Sequence, residues 1–229
     1  MTTRMNAVRA TPYDGAARDR RIRLIALISA VAVMIVANVP AMQSAVHQSF
    51  AMHMVQHVIL INIAAPLLSI AWPLVLGRWY PSRGVNVLNR AATPPFAIVL
   101  STIMFWASHY PAVYDFAMTN PITHAIEHAV FIVSFVLFWR PLIPDAMNPG
   151  YLKNNGSRVL YLTIGMVLHG TPAVYIMFID HAIYPHYVMM GSYAGRSPLA
   201  DQHLGGGVML LAGTIAMTMA ALVSFRDEP

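Results

Sequence analysis

Long runs of apolar residues dominate the chain and recur almost from end to end. Most runs approach about 20 residues, the length with which an α-helix crosses the hydrocarbon of a bilayer. In lipid the backbone must satisfy its own hydrogen bonds, so each run is predicted to be helical. We draw six segments, separated by Pro, Gly and Asn residues, at 22–39, 51–76, 95–110, 122–139, 159–180 and 204–225.

This pattern predicts an all-α, polytopic transmembrane helix bundle with about six spans, seven being the alternative count. A single transmembrane domain is expected over residues 22–225, between a basic tail at 1–21 and a short tail at 226–229. Composition agrees, because 57% of the 229 residues are hydrophobic and only 10% are charged. An average soluble domain has about 25% charged residues.

Basic residues lie almost entirely on one side of this predicted topology. Of the 14 Lys and Arg residues, all but Arg196 fall in the tails or in the loops on the side of the N-terminus. The positive-inside rule therefore predicts a bacterial inner-membrane protein with both termini in the cytoplasm. The net charge of +5 is thus interpreted as a topology signal and not as a nucleic-acid-binding surface. Cleavage of the first segment as a secretory signal is an alternative that would leave this orientation unchanged.

The ten histidines show the opposite bias, since none lies on the predicted cytoplasmic side. In HMVQH, His53 and His57 are four residues apart, and His124 and His128 in HAIEH repeat this spacing. Residues i and i+4 share one helix face, so each pair places its rings about 6 Å apart, where two imidazoles can bind one ion. Two such pairs entering the membrane from the same side predict a metal site at the outer face.

Other polar residues at the same side are weaker candidates for this site. The further candidate ligands are His109, Glu127, Asp201 and His203. Asp201 lies near a helix start, where a carboxylate can instead cap the helix. Three histidines are assigned to loops, as solvated residues or as an access path: His47, His181 and His186.

The absence of cysteine limits the metal chemistry to His, Met and carboxylate ligands. Copper, as Cu(I) or Cu(II), suits an imidazole-rich site flanked by methionines, and zinc is the second candidate ion. The string HAIEH also matches the H-x-x-E-H of inverted zinc peptidases, in which Glu127 would be the general base. A b-type cytochrome with two histidine ligands to haem is a further alternative.

Four blocks of the sequence, within residues 40–225, resemble the multi-span, caa3-type family of cytochrome c oxidase assembly factors called CtaG. They are HMVQHVILINIAAPLLSIAWPLVLG, HYPAVYDFAM, HAIEHAVFIVSFVLFWRPL and DQHLGGGVML. The resemblance implies a non-enzymatic factor that handles copper for the metal centres of a haem-copper oxidase. It implies cytochrome c oxidase subunits, the lipid bilayer and other copper chaperones as partners, with homo-oligomerisation left open.

The family residues carried over onto this chain are His53, His57, His109, His124, Glu127, His128, Asp201 and His169. Two features depart from the family pattern. His203 occupies a position that varies in the family, and many members have seven spans where this sequence predicts six. An unrelated single-span copper chaperone of the same name uses cysteine ligands, which this chain lacks.

Overall fold

The computed structural model describes residues 12–79, 82–145, 147 and 150–225. The described residues are predominantly helical, which confirms the all-α class. The helices are α1 Pro12–Ala37, α2 Pro40–Gln48, α3 Phe50–Ile59, α4 Ala65–Leu76, α5 Arg83–Ala91, α6 Pro94–His109, α7 Pro111–Ala117, α8 Pro121–Trp139, α9 Asn155–Phe178, α10 Pro185–Met190 and α11 Pro198–Ser224. Helix α1 thus begins before the first apolar segment, and the tail at 226–229 lies outside the described residues.

The described residues contain four to six membrane spans. Four helical stretches are long and apolar enough to cross a bilayer: Phe50–Trp79, Pro121–Leu142, Asn155–Phe178 and Pro198–Ser224. Two bent helix pairs bring the count to six, α1 with α2 at 53° and α5 with α6 at 79°. These six positions coincide with the six predicted apolar segments, and the chain is a multi-pass membrane protein.

One span carries the first histidine pair and is continuous despite two prolines. Helix α3 passes into α4 through a π-helical turn at Leu60–Ala64, closed by a hydrogen bond from Ala65 N–H to Leu60 O. Pro66 follows directly in the first turn of α4. A π turn widens the backbone spiral, so it can accommodate a proline ring that would otherwise clash with the preceding turn.

Glycines allow α11 to pack closely against α3 and α9. A Cβ atom at Gly205 would overlap the ring of Phe50, and one at Gly206 would lie 2.8 Å from Ala173 O and from Met177 N. Both helix contacts therefore depend on glycine, which has no side chain, at these two positions. The neighbouring Gly207 differs, because a Cβ there would meet no atom of the described residues within 4 Å.

Candidate metal centre

The two histidine pairs lie on neighbouring elements and face each other. Within each pair the ring centroids are close, 4.3 Å for His53 and His57 and 4.2 Å for His124 and His128. Between the pairs, His53 Nε2 and His124 Nε2 are 3.2 Å apart. The rings of His57 and His128 are 5.1 Å apart. The structure thus brings all four predicted imidazoles together.

Four side chains form a group that could hold one metal ion. His53, His124, Glu127 and His128 each offer one ligand atom, and these atoms all lie within 4.8 Å of one another. Two nitrogens bound about 2.0 Å from one tetrahedral ion lie about 3.3 Å apart. The separation of the His53 and His124 nitrogens agrees with that geometry. We call these four residues, together with the adjoining His57, the histidine cluster.

Several polar atoms of the histidine cluster are buried and have no hydrogen-bond partner among the residues that the structure describes. They are both ring nitrogens of His57, Nε2 of His128 and both carboxylate oxygens of Glu127. Glu127 Oε1 lies 3.9 Å from His57 Nε2. Buried polar atoms are nearly always hydrogen-bonded, so five together require an explanation. Nitrogen donors with one carboxylate form a ligand set that copper or zinc would satisfy.

A chain of tyrosine hydroxyls sets the tautomer of His53. Tyr187 donates its hydroxyl hydrogen to Val46 O at 3.0 Å, so it accepts from the hydroxyl of Tyr114 at 2.9 Å. Tyr114 then has no hydrogen left, so it accepts from His53 Nδ1–H. Burial raises the pKa of both phenols, which keeps both hydrogens in place. His53 therefore presents Nε2 to the cluster as an unprotonated nitrogen.

Neither tyrosine was predicted from the sequence. Tyr114 lies in the block HYPAVYDFAM, where a polar aromatic residue shortly after His109 was the available signal. Tyr187 lies 134 residues from its partner His53, and no local pattern connects them.

His109 adjoins the histidine cluster without belonging to the group of four. Its Nδ1 donates to Phe105 O at 2.7 Å, so its Nε2 is the unprotonated nitrogen. That Nε2 is buried and has no hydrogen-bond partner within the described part of the chain. The ring centroid lies 6.1 Å from that of His57.

Asp201 belongs to α11, and its carboxylate contacts the first residues of α3. Its partners are not those of the histidine cluster. Its carboxylate accepts hydrogen bonds from the Ser49 hydroxyl at 2.9 Å and from Ala51 N–H at 3.2 Å. It also pairs with the guanidinium of Arg196 at 3.2 Å. Asp201 is therefore a helix cap, but for α3 and not for its own helix, which Ser197 caps.

His203 and His169 also lie apart from the histidine cluster. His203 Nε2 donates to Ile179 O at 2.7 Å, which connects α11 to the end of α9. His169 is buried deeper in the bundle, with Nε2 at 3.2 Å from Ser101 Oγ. Neither residue is in the group that could share one ion.

Two of the three histidines that the sequence assigned to loops lie in short helices, His47 in α2 and His186 in α10. Both lie over the histidine cluster. The ring of His47 is 6.2 Å from that of His124 and 6.2 Å from that of His186. His186 Nε2 donates to His47 O at 3.0 Å. In contrast, His181 is exposed and pairs with Asp180 at 2.8 Å, an interaction that lowers the pKa of Asp180.

The chain was compared with protein families, curated proteins and solved structures. The model of one family, described as cytochrome c oxidase caa3 assembly factor (Caa3_CtaG), matches residues 5–227. This match covers nearly the whole chain and confirms the resemblance drawn from the four sequence blocks. No curated protein and no solved structure matches the chain.

Proposed function

The chain belongs to the cytochrome c oxidase caa3 assembly factor family, and on that premise we propose that it binds copper at the histidine cluster and supports maturation of the metal centres of the oxidase. The observation that carries the proposal is the convergence of three imidazoles and one carboxylate within 4.8 Å. The unpartnered atoms of the cluster supply the second line of support. Maturation of a haem-copper oxidase needs copper, so a copper-binding assembly factor fits the family role.

The surroundings of the histidine cluster are consistent with an ion that binds and is later transferred to another protein. Glu127 supplies one negative charge against a buried cation, where the low dielectric strengthens their attraction. Glu127 also borders a side cavity of about 250 Å³ between α6, α7 and α8. Copper would arrive past His47 and His186 and would leave through this side cavity toward a membrane-embedded oxidase subunit.

The proposed location is a bacterial inner membrane, with both termini in the cytoplasm and the histidine cluster at the outer end of the bundle. The distribution of basic residues supports this orientation. The proposed partners are cytochrome c oxidase subunits as recipients and other copper chaperones as donors. An assembly factor that passes on its ion has no reaction of its own to catalyse, and this favours a non-enzymatic role.

A zinc-dependent hydrolase is the second candidate, because one observation favours it. His124, Glu127 and His128 of the H-x-x-E-H string converge with a third imidazole from His53. In such an enzyme the imidazoles would bind zinc and Glu127 would act as general base. The family assignment favours the assembly factor over this alternative.

Metal analysis of the purified protein tests the proposal. Removing one ligand from a site of three or four should lower bound copper at least about tenfold, so His53→Ala and His128→Ala should each lose copper. His181→Ala is the matched control, because its side chain is exposed and pairs only with Asp180. Copper retention in both cluster variants would refute the site. Stoichiometric zinc without copper would support the hydrolase, and a haem absorption band would support a cytochrome.

A further inference from the structure

A small cavity continues from the histidine cluster toward the middle of the bundle. Its volume is about 30 Å³, enough for one ion or about two water molecules. His57 and His109 line it on the cluster side. His169, Met166 and Met209 also line it, and they come from α9 and α11.

His169 presents an unprotonated nitrogen among aromatic rings. Ser101 donates its hydroxyl hydrogen to Ile98 O at 3.1 Å, so it accepts from His169 Nε2–H at 3.2 Å. Nδ1 is therefore the lone-pair nitrogen, and it is buried without a hydrogen-bond partner among the described residues. The residue is only 6% exposed.

Methionine thioethers complete the lining. Met166 precedes His169 by three residues and shares its helix face. Met209 is 7% exposed and comes from α11. Four residues further along α11, Gly213 also lines the cavity, and a Cβ there would meet nothing within 4 Å. Met217 of α11 also lines the cavity. The free space is therefore bordered by three methionines and by the imidazole of His169.

His57 and His109 connect this cavity to the histidine cluster. Both line the cavity, and each has an unpartnered ring nitrogen. His57 also lies 3.9 Å from Glu127. Imidazoles with unpartnered nitrogens therefore line the path from the proposed copper site to His169.

We propose that this cavity is a second copper site, which takes Cu(I) through His169 Nδ1 and the thioethers of Met166 and Met209. Thioether and imidazole ligands are the soft, neutral set that Cu(I) prefers. The cost of burying an ion rises with the square of its charge, so a neutral cavity favours Cu(I) over Cu(II). The inference rests on the proposed function, because the histidine cluster supplies the ion as Cu(I), and His57 and His109 then pass it inward without any change of oxidation state.

X-ray absorption of the full chain, loaded anaerobically with Cu(I), tests the second site. The wild type should bind two equivalents and show sulfur scatterers around copper. The double variant Met166→Leu with Met209→Leu should bind one equivalent and lose the sulfur signal, since leucine keeps the apolar volume. Met217→Leu, in the third methionine that lines the cavity, should leave both readouts unchanged. The matched control replaces two exposed methionines, Met190→Leu with Met219→Leu, and should leave both readouts unchanged.

Two results would overturn the second site. One is copper-loaded wild type without sulfur scatterers, and the other is a sulfur signal that persists in the Met166 and Met209 double variant. His128→Ala separates this inference from the proposed function, because it leaves His57 and His109 in place to load the cavity. This variant should lose the nitrogen-bound equivalent and keep the sulfur-bound one. Absence of bound copper in the wild type would refute both proposals.

Discussion

The carboxylate of Asp201 accepts a hydrogen bond from the hydroxyl of Ser49 at 2.9 Å, across 152 residues of sequence. Ser49 is the cap of α3 and accepts in turn from Met52 N–H at 3.2 Å. Backbone N–H of His53 donates to Ser49 O at 3.1 Å. Asp201 therefore fixes the start of the helix that carries the first histidine pair.

Substitution of Asp201 separates a positioning role from a ligand role. Asp201→Ala removes buried charged hydrogen bonds and should destabilise the protein by about 2 kcal/mol, measured by thermal unfolding in detergent. Asp201→Asn should cost less, because its amide oxygen still accepts one hydrogen bond. Copper per folded molecule should stay close to wild type in both. Loss of copper in a fully stable Asp201→Asn would instead make the carboxylate a ligand.

The tyrosine chain should control metal affinity through the tautomer of His53. Tyr187→Phe frees the Tyr114 hydroxyl hydrogen for His53 Nδ1, so it should weaken copper binding about tenfold in a chelator competition assay. Tyr114→Phe should have a smaller effect, because His53 Nδ1 still lies 3.3 Å from the Tyr187 hydroxyl, which can accept its hydrogen. The double variant removes both partners of Nδ1 and should bind copper no more tightly than Tyr114→Phe. Tyr110→Phe is the control, since that side chain is exposed. Unchanged affinity in Tyr187→Phe would exclude this role.

Adjacent glycines of α11 should respond oppositely to alanine. A Cβ at Gly206 lies 2.8 Å from backbone atoms of α9, so Gly206→Ala should destabilise the protein by about 1–3 kcal/mol. Gly207→Ala meets nothing and should stabilise the helix by about 0.5–1 kcal/mol. Thermal unfolding of the two variants measures both effects. Equal effects would show that α11 does not pack closely against α9.

Orientation can be tested cleanly because the natural chain has no cysteine. Met190 in α10 and Asn86 in α5 are both exposed. They are predicted to lie on opposite sides of the membrane. Met190→Cys should react with an impermeant maleimide added to intact cells. Asn86→Cys should react only after the membrane is opened. The reverse pattern would place the histidine cluster at the cytoplasmic end.

The local sequence determined where the membrane spans lie and that each histidine pair shares one helix face. It also placed both pairs at the same end of the bundle. Apolar run length places a helix in lipid, and helical periodicity alone puts residues i and i+4 on one face. Helix ends were less determined, because a helix can continue beyond its apolar run. Helix α1 begins at Pro12 for this reason, ahead of the first predicted span.

Only the tertiary structure decided which polar residues meet. Three contacts join segments that are distant in the sequence. His53 faces His124, Asp201 caps α3, and Tyr187 contacts His53. Such contacts depend on the rotation and register of one helix against another. Those are set by side-chain packing between helices, as at Gly205 and Gly206, and not by the period of any single helix.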